Sequence, residues 1–123
     1  AHEARARGDS GIEIWGTGTP RREFLHVDDC ADALVHLMTV YSDPLHVNVG
    51  SGSDIPIADL ANLVMRVVGL DGDLRRDLSK PDGTMRKLMS GDRLAALGWR
   101  PSIPLETGVA SVYDWARAEG VLA

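Results

Sequence analysis

The chain has 123 residues, of which 44% are hydrophobic and 25% charged, and a net charge of −5. This length allows one domain with a modest core. The negative charge argues against broad, nonspecific binding to nucleic acid or to an anionic membrane surface. A single cysteine, Cys30, leaves no partner for an internal disulfide, so we expect a cytoplasmic protein.

Neither end of the chain carries a targeting or membrane segment that the pattern can identify. No apolar run approaches the roughly 18 residues of a membrane helix. The first residues, AHEARARGDSG, are polar and lack the apolar core of a signal peptide. They also lack an initiating Met, so we expect a chain that begins partway through something larger.

Short elements are predicted near the start of the chain. His2 to Arg7 resembles the end of a helix that Gly8 stops. Ile12 to Trp15 alternates and contains β-branched residues, which predicts a strand. A second extended piece is predicted at Glu23 to Val27, after a loop rich in glycine and arginine.

Three longer helices are predicted from apolar residues spaced three and four apart. Asp28 is expected to supply a side-chain oxygen at the start of the first helix, which Ser42 to Pro44 ends. Pro56 suits the first turn of the second helix and Gly69 its end. Pro104 starts the third. The three apolar faces are Cys30, Ala33, Leu34, Leu37 and Met38; Ile57, Leu60, Ala61, Val64 and Val68; and Leu105, Val109, Val112, Tyr113 and Ala116.

Shorter pieces connect these helices. Strands are predicted at His46 to Val49 and at Asp73 to Asp77. Ser79 to Lys87 is a polar loop with a turn signal at Pro-Asp-Gly, and Asp92 is expected to cap a short helix over Arg93 to Leu97. Helices that alternate with short strands indicate an α/β fold.

The glycine loop after the first strand is the first candidate site. A dinucleotide fingerprint needs a strand, then G-x-G-x-x-G, then a helix whose free N–H groups face the pyrophosphate. Gly16-Thr17-Gly18 matches two positions only, Arg21 stands at the third, and an extended piece follows. We therefore do not interpret this loop as a cofactor site.

Two arginines in the same loop point to an anion. A guanidinium binds phosphate oxygens through two parallel hydrogen bonds. If the segment is extended, Arg21 and Arg22 point to opposite sides. One would then face a ligand, and the other solvent or an acidic partner. Two solvated surface arginines remain the alternative.

The polar loop SKPDGTMRK is the second candidate. Three cations around one carboxylate suit a phosphorylated ligand, with the cations on phosphate and Asp82 accepting from a ribose diol or the N–H edge of guanine. The alternative is a mobile, solvated loop. The charged residues concerned are Lys80, Asp82, Arg86 and Lys87.

Other candidate sites are weaker. His26, Asp28 and Asp29 could form a metal cluster, but the two carboxylates are explained by the helix start and no further ligand lies at a recognisable spacing. Cys30 lies on an apolar helix face, where packing is the expected role. Structural or surface roles are expected for His36 and His46, and core packing on the last helix for Tyr113.

Five motifs together resemble the GDP-L-fucose synthase family of extended short-chain dehydrogenases/reductases: WGTGTPRREF, HVNVGSG, SKPDGTMRK, LAALGWRP and IPLETGV. WGTGTPRREF and KPDGT are the specific pair. The resemblance implies an enzyme that epimerises GDP-4-keto-6-deoxy-D-mannose at two carbons and reduces its ketone with NADPH. It also implies that the site residues contact a GDP-sugar.

By that resemblance the substrate-binding residues are Trp15, Arg22, Asp82 and, less firmly matched, Lys87. Arg22 would meet the GDP pyrophosphate and Trp15 would line the nucleotide pocket, while Arg21 keeps a surface role. Met85 stands where the family commonly has proline, which leaves the orientation of Lys87 open.

The resemblance also implies what residues 1–123 lack. They correspond to the C-terminal substrate-binding portion of a Rossmann-type enzyme, without the NADP-binding portion, the catalytic residues or the main contact of the family's homodimer. We therefore assign no catalytic, cofactor or metal residue and expect the isolated chain to be inactive. Apolar side chains such as Leu34, Leu37 and Met38 would be left exposed. The alternatives are a stand-alone, non-catalytic nucleotide-sugar-binding module and another sugar-nucleotide epimerase or dehydratase of the same superfamily.

Overall fold

Helices and strands alternate through the computed structural model, which describes residues 1–122. The predicted helices are present, and the fold is mixed α/β. Strands form where predicted at Ile12 to Trp15 and Asp73 to Asp77, whereas the extended piece predicted at Glu23 to Val27 is a strand over Arg21–Glu23. In chain order the elements are α1 His2–Arg7, β1 Gly11–Trp15, β2 Arg21–Glu23, α2 Val27–Val40, β3 Asp54–Pro56, α3 Ile57–Val68, β4 Asp73–Asp77, β5 Arg86–Lys87, α4 Asp92–Ala96 and α5 Leu105–Ala118.

The strands form two small sheets. In the first, β1 and β4 are parallel, with Gly11 opposite Asp73 and Trp15 opposite Asp77. In the second, β2 is the central strand, antiparallel to β3 and parallel to β5. The first sheet ends at the loop that leads into β2, so both sheets meet around that loop.

Two apolar clusters form the core. One joins α1, α3 and the residues after α3, and Tyr113 of α5 packs against it. The other is centred on Ala33, Leu94 and Trp99. The indole N–H of Trp99 donates to Asp32 at 2.7 Å, so this buried ring is satisfied as well as packed. The first cluster contains Ala4, Met65, Val68 and Leu70.

The predicted strand at His46 to Val49 is wrong. Val47 and Val49 do pack against the second cluster, which explains the alternating pattern. However, no strand among residues 1–122 pairs with this segment. A strand requires a neighbour for its backbone N–H and C=O groups, so apolar alternation alone was insufficient.

The start of α2 differs from the prediction. The helix begins at Val27, and its N-cap is His26, whose Nδ1 accepts the Asp28 N–H at 3.2 Å. The ring nitrogen takes the part predicted for the Asp28 carboxylate, so the extended piece ends before Val27. Asp29 is buried and accepts hydrogen bonds from the backbone and hydroxyl of Ser102 and from the Ile103 N–H. This carboxylate therefore ties α2 to the segment before α5.

The polar loop Ser79 to Lys87 is more ordered than predicted. Its turn lies at Leu78 and Ser79, where the Asp77 carboxylate accepts from the Ser79 N–H and hydroxyl, and not at Pro-Asp-Gly. The loop ends in β5, which the sequence did not predict because Arg86 and Lys87 carry no apolar signal. Pairing with β2 makes them a strand.

Some apolar side chains are exposed, as predicted. Leu34 is 53% and Met38 84% exposed. The expectation is wrong for Leu37, which packs against the second cluster. None of the helices over residues 1–122 combines the length and apolar character needed to cross a bilayer.

We predict that Asp29→Asn lowers stability in a pH-dependent way. Burial would raise the pKa of Asp29, but hydrogen bonds from Ile103 and Ser102 outweigh it and hold the pKa below its ordinary value. The folded state therefore favours the charged form. The resulting stability is present above the unfolded value of about 3.9 and is lost as pH falls through the depressed folded pKa.

Urea denaturation between pH 7 and pH 2 measures this effect. The difference between wild type and Asp29→Asn should be largest at neutral pH and shrink below about pH 4. Asp43→Asn is the matched control, since Asp43 is exposed and, over residues 1–122, accepts a hydrogen bond from the Leu45 N–H alone, at 2.8 Å. A difference for Asp29→Asn that stays constant with pH would contradict the assignment.

We also predict that Met38→Lys reduces self-association of the chain. The Met38 side chain is 84% exposed, so the free energy of unfolding should change by no more than about 0.5 kcal/mol. Exposed apolar surface favours association, and sedimentation velocity measures it. Equal association of wild type and variant would show that α2 is not the associating surface.

Candidate functional site

The loop after β1 is closed by a carboxylate from a distant segment. The Asp82 carboxylate accepts the Thr17 N–H at 2.8 Å and the Thr17 hydroxyl at 2.8 Å. Gly16 has φ 73°, and a Cβ there would lie 2.2 Å from Asp82 Oδ1. Only glycine permits both this backbone conformation and this approach.

This geometry does not fit the pyrophosphate of a dinucleotide. The Thr17 N–H, which would have to face a phosphate, already faces the protein's own carboxylate. The loop continues into β2 and not into a helix, and the first N–H groups of α3, at Ile57 and Ala58, donate to the carbonyls of Pro20 and Gly18 instead of facing a ligand. Residues 16–20 therefore position Trp15 and β2 and do not form a nicotinamide-cofactor cradle.

Trp15 presents an open aromatic face next to this loop. It is the last residue of β1 and is 72% exposed. The Lys80 Nζ lies 5.6 Å from the ring centroid, in the range of a cation–π contact. An exposed indole beside a cation is suited to stacking against a flat, anionic ligand.

The sheet β3–β2–β5 separates four cations onto two faces. Arg21 is opposite Arg86, and Arg22 is opposite Lys87. Because side chains alternate along a strand and register partners share a face, Arg21 and Arg86 lie on one side. Arg22 and Lys87 lie together on the other.

The first of these faces is neutralised within the protein. Arg21 Nε donates to Asp54 Oδ1 at 2.7 Å, Arg21 Nη2 donates to the Asp54 carbonyl at 2.8 Å, and Arg86 Nε donates to Asp54 Oδ2. The hydrogen bonds from Arg21 and then Arg86 hold the pKa of Asp54 below its ordinary value, although burial opposes them. The expectation of a surface role for Arg21 is therefore corrected: it binds an acidic partner.

The second face carries cations without a carboxylate. Arg22 Nη1 donates to the carbonyls of Arg21 at 2.7 Å and Thr84 at 2.6 Å. Among residues 1–122 no acceptor meets its Nε and Nη2, which form one flat edge of the guanidinium. Lys87 is exposed and makes no ion pair with a described carboxylate. A guanidinium edge of this kind binds two phosphate oxygens at once.

The four residues matched by resemblance are joined through the polar loop. Asp82 holds the turn next to Trp15, and a Cβ on the adjacent Gly83 would lie 3.2 Å from Arg22 Nη2. Lys87 is the register partner of Arg22. The loop thus spans from the indole to the paired cations.

The predicted cluster of three cations around Asp82 is wrong. Lys80 lies over Trp15, Arg86 binds Asp54, and Lys87 stands beside Arg22. Asp82 itself faces Thr17. The sequence places these charges within eight positions of each other, but β5 turns successive residues to opposite faces and separates them.

Sequence reasoning did not identify Glu23 and Asp54. The Glu23 carboxylate accepts the Gly52 N–H at 2.7 Å and the Met89 N–H at 3.2 Å, which fixes both segments to the end of β2. A Cβ on Gly50 would lie 2.6 Å from Glu23 Oε1. The alternation Arg21-Arg22-Glu23 was a usable signal for Glu23. Nothing local pointed to Asp54.

A separate apolar groove of about 590 Å³ lies between α3 and α5. Val64, Val109 and Tyr113 are among its lining residues, together with His26. None of the four residues matched by resemblance lines it. The predicted apolar face of the last helix therefore borders this groove, which is distinct from the candidate site.

We predict that Gly16→Ala disrupts the loop more than Gly52→Ala. Both glycines have left-handed backbones, with φ 73° and 74°, but a Cβ at Gly52 meets nothing within 4 Å. Gly52→Ala should cost about 1–2 kcal/mol of stability from backbone strain alone. Gly16→Ala should cost about 1–3 kcal/mol more, since it displaces Asp82 from Thr17. Urea denaturation gives both values. Equal losses of stability in the two variants would contradict a stabilising contact between Asp82 and Thr17.

Comparisons with known proteins find similar sequences. The model of the NAD dependent epimerase/dehydratase family matches residues 1–50. GDP-L-fucose synthase 1 of Arabidopsis thaliana is 54% identical over 114 residues, covering 93% of this chain and 35% of that protein. The GDP-L-fucose synthase of Escherichia coli K12 is 47% identical, covering 93% of this chain and 38% of that protein.

Solved structures give the same fold. A GDP-6-OMe-4-keto-L-xylo-heptose reductase from C. jejuni is similar with a TM-score of 0.81 and 36% identity, over 95% of this chain and 38% of that one. A GDP-L-fucose synthetase from Naegleria fowleri, solved with NADP, has a TM-score of 0.90 at 22% identity, over 99% of this chain and 39% of that one. At that identity the likeness shows the fold alone. The predicted α/β fold of Rossmann-type epimerases and reductases is thus confirmed.

The chain spans little more than a third of the length of the curated relatives named above. Within that region the match covers 93% of this chain at 54% identity. On these grounds the chain is similar over nearly its whole length to one region of the GDP-L-fucose synthases, and its residues 1–50 match the NAD dependent epimerase/dehydratase family.

Proposed function

We propose that this chain is the GDP-sugar-binding portion of a GDP-L-fucose synthase. The observation that carries the proposal is the face on which Arg22 and Lys87 stand side by side without a carboxylate partner among the described residues. A pyrophosphate carries the charge and the spaced oxygens that such a face requires. The 54% identity to a GDP-L-fucose synthase supports guanosine diphosphate as its carrier.

Each of the four residues has a distinct part in this proposal. Arg22 binds the pyrophosphate through its Nε–Nη2 edge, and Lys87 adds a second positive charge. Trp15 lines the nucleotide pocket with its exposed ring. Asp82 holds the loop beside Trp15 through Thr17, and its remaining lone pairs accept from the nucleotide.

The chemistry of the whole enzyme lies with residues outside this chain. A reduced nicotinamide cofactor supplies the hydride that converts the 4-keto sugar to GDP-L-fucose after epimerisation. The glycine loop present here does not fit such a cofactor, for the reasons given above. The chain therefore binds and orients the GDP-sugar, and does not catalyse the reaction alone.

Calorimetric titration of the chain with GDP and UDP tests the proposal. GDP should bind more tightly than UDP, and Arg22→Ala should weaken GDP binding by about 10- to 100-fold, the value of a lost hydrogen bond between charged groups. Arg75→Ala is the matched control, because it removes the same charge from an exposed position in β4. It should leave the affinity for GDP unchanged.

Three outcomes would count against the proposal. Equal affinity for GDP and UDP would remove guanine recognition. An equal loss in Arg22→Ala and Arg75→Ala would reduce Arg22 to part of a general charge effect. Absence of binding in a chain shown by circular dichroism to be folded would mean that residues 1–123 alone do not form the site.

A further inference from the structure

The second sheet carries two pairs of adjacent cations, and the two members of each pair lie on opposite faces of the sheet. In Arg21-Arg22 on β2 and in Arg86-Lys87 on β5, the first residue binds Asp54. The second residue faces the opposite side of the sheet. The same division on two strands places one carboxylate behind both cations of the candidate anion site.

The Asp54 carboxylate is the only group that bridges all three strands through side chains over the described residues. It belongs to β3, and its two oxygens bind one arginine from β2 and one from β5. Its side chain is 5% exposed, whereas those of Arg21 and Arg86 are 43% and 61% exposed. A carboxylate so enclosed requires hydrogen-bond donors for both of its oxygens, and here two guanidinium groups supply them.

The backbone ladders around this carboxylate are short. β2 and β3 share three register pairs, and β2 and β5 share two. So few pairs leave register weakly specified, and a slip of one residue along β5 would move Lys87 away from Arg22. The ion pairs of Asp54 with Arg21 and Arg86 oppose that slip, since each arginine is adjacent in sequence to a cation of the site.

We propose that Asp54 is a positioning residue for anion binding: through Arg21 and Arg86 it fixes the spacing of Arg22 and Lys87 on the opposite face of the sheet. The inference rests on the proposed function for the identity of the ligand, but only on a pyrophosphate group for its test. Asp54 touches no ligand itself. It acts through the strands that carry the two cations.

The probe is inorganic pyrophosphate, titrated into the chain and followed by calorimetry. Asp54→Asn should weaken pyrophosphate binding about tenfold or more, comparable to losing one charge-assisted hydrogen bond. Asp29→Asn is the matched control: it makes the same change at another enclosed, hydrogen-bonded carboxylate, whose partners Ser102 and Ile103 lie outside this sheet. It should leave pyrophosphate affinity unchanged.

A double-mutant cycle separates positioning from general damage. Asp54→Asn should cause little further loss of affinity in an Arg22→Ala background, because the group it positions is already absent. A loss carried undiminished into that background would overturn the inference, as would wild-type affinity in Asp54→Asn. If Asp54→Asn does not fold, Arg86→Ala removes one bridge at an exposed position and should weaken binding by a smaller factor; unchanged affinity there overturns the inference too.

Pyrophosphate binding tests the role of Asp54, and the preference for GDP over UDP tests the proposed function separately. Tight pyrophosphate binding with equal affinity for GDP and UDP would contradict guanine recognition and leave the positioning role standing. Preferential binding of GDP, together with wild-type pyrophosphate affinity in Asp54→Asn, would contradict the positioning role and leave guanine recognition standing. A folded chain that binds no pyrophosphate would overturn the positioning role outright.

Discussion

An enclosed carboxylate is costly unless hydrogen-bond donors replace the water around it, and Asp54 meets this requirement with the guanidinium groups of Arg21 and Arg86. The rest of the candidate site follows from that contact. It joins β3 to β2 and β2 to β5, strands of two or three residues whose ladders are short. With one arginine of each pair held on this side, alternation directs Arg22 and Lys87 to the other.

The polar loop shows how buried or shared carboxylates organise an otherwise irregular chain. Asp82 binds Thr17, Asp54 binds Arg86, and Glu23 binds the Met89 N–H. Three separate anchors fix residues 82–89 against the loop after β1, against β3 and against β2. The loop can thus hold cations in defined places although it contains a single short strand and few buried side chains. It is the part of the chain where charge, and not apolar burial, determines the conformation.

The two apolar clusters pack the helices against one another. They hold α1, α3 and α5 together on one side and α2 and α4 on the other. Asp29 and its partners before α5 join these parts, and His26 begins α2 at the end of the segment that leaves β2. The residues of the candidate site therefore lie on the small sheets and their loops, while the helices contribute most of the apolar core. Exposed Leu34 and Met38 show that α2 packs through only part of its apolar face.

The sequence by itself determined the α/β class, most helix bounds to within a few residues, and the resemblance to the GDP-L-fucose synthases, because apolar periodicity, glycine stops and specific motifs are local properties. It also indicated Arg22 as the ligand-facing arginine through resemblance. Only the tertiary structure decided that His46 to Val49 has no strand partner, that β5 exists, and that Arg21 binds Asp54. The reason is physical: strand pairing and ion pairing join residues more than 30 positions apart. No local pattern records which of several nearby charges will share a face.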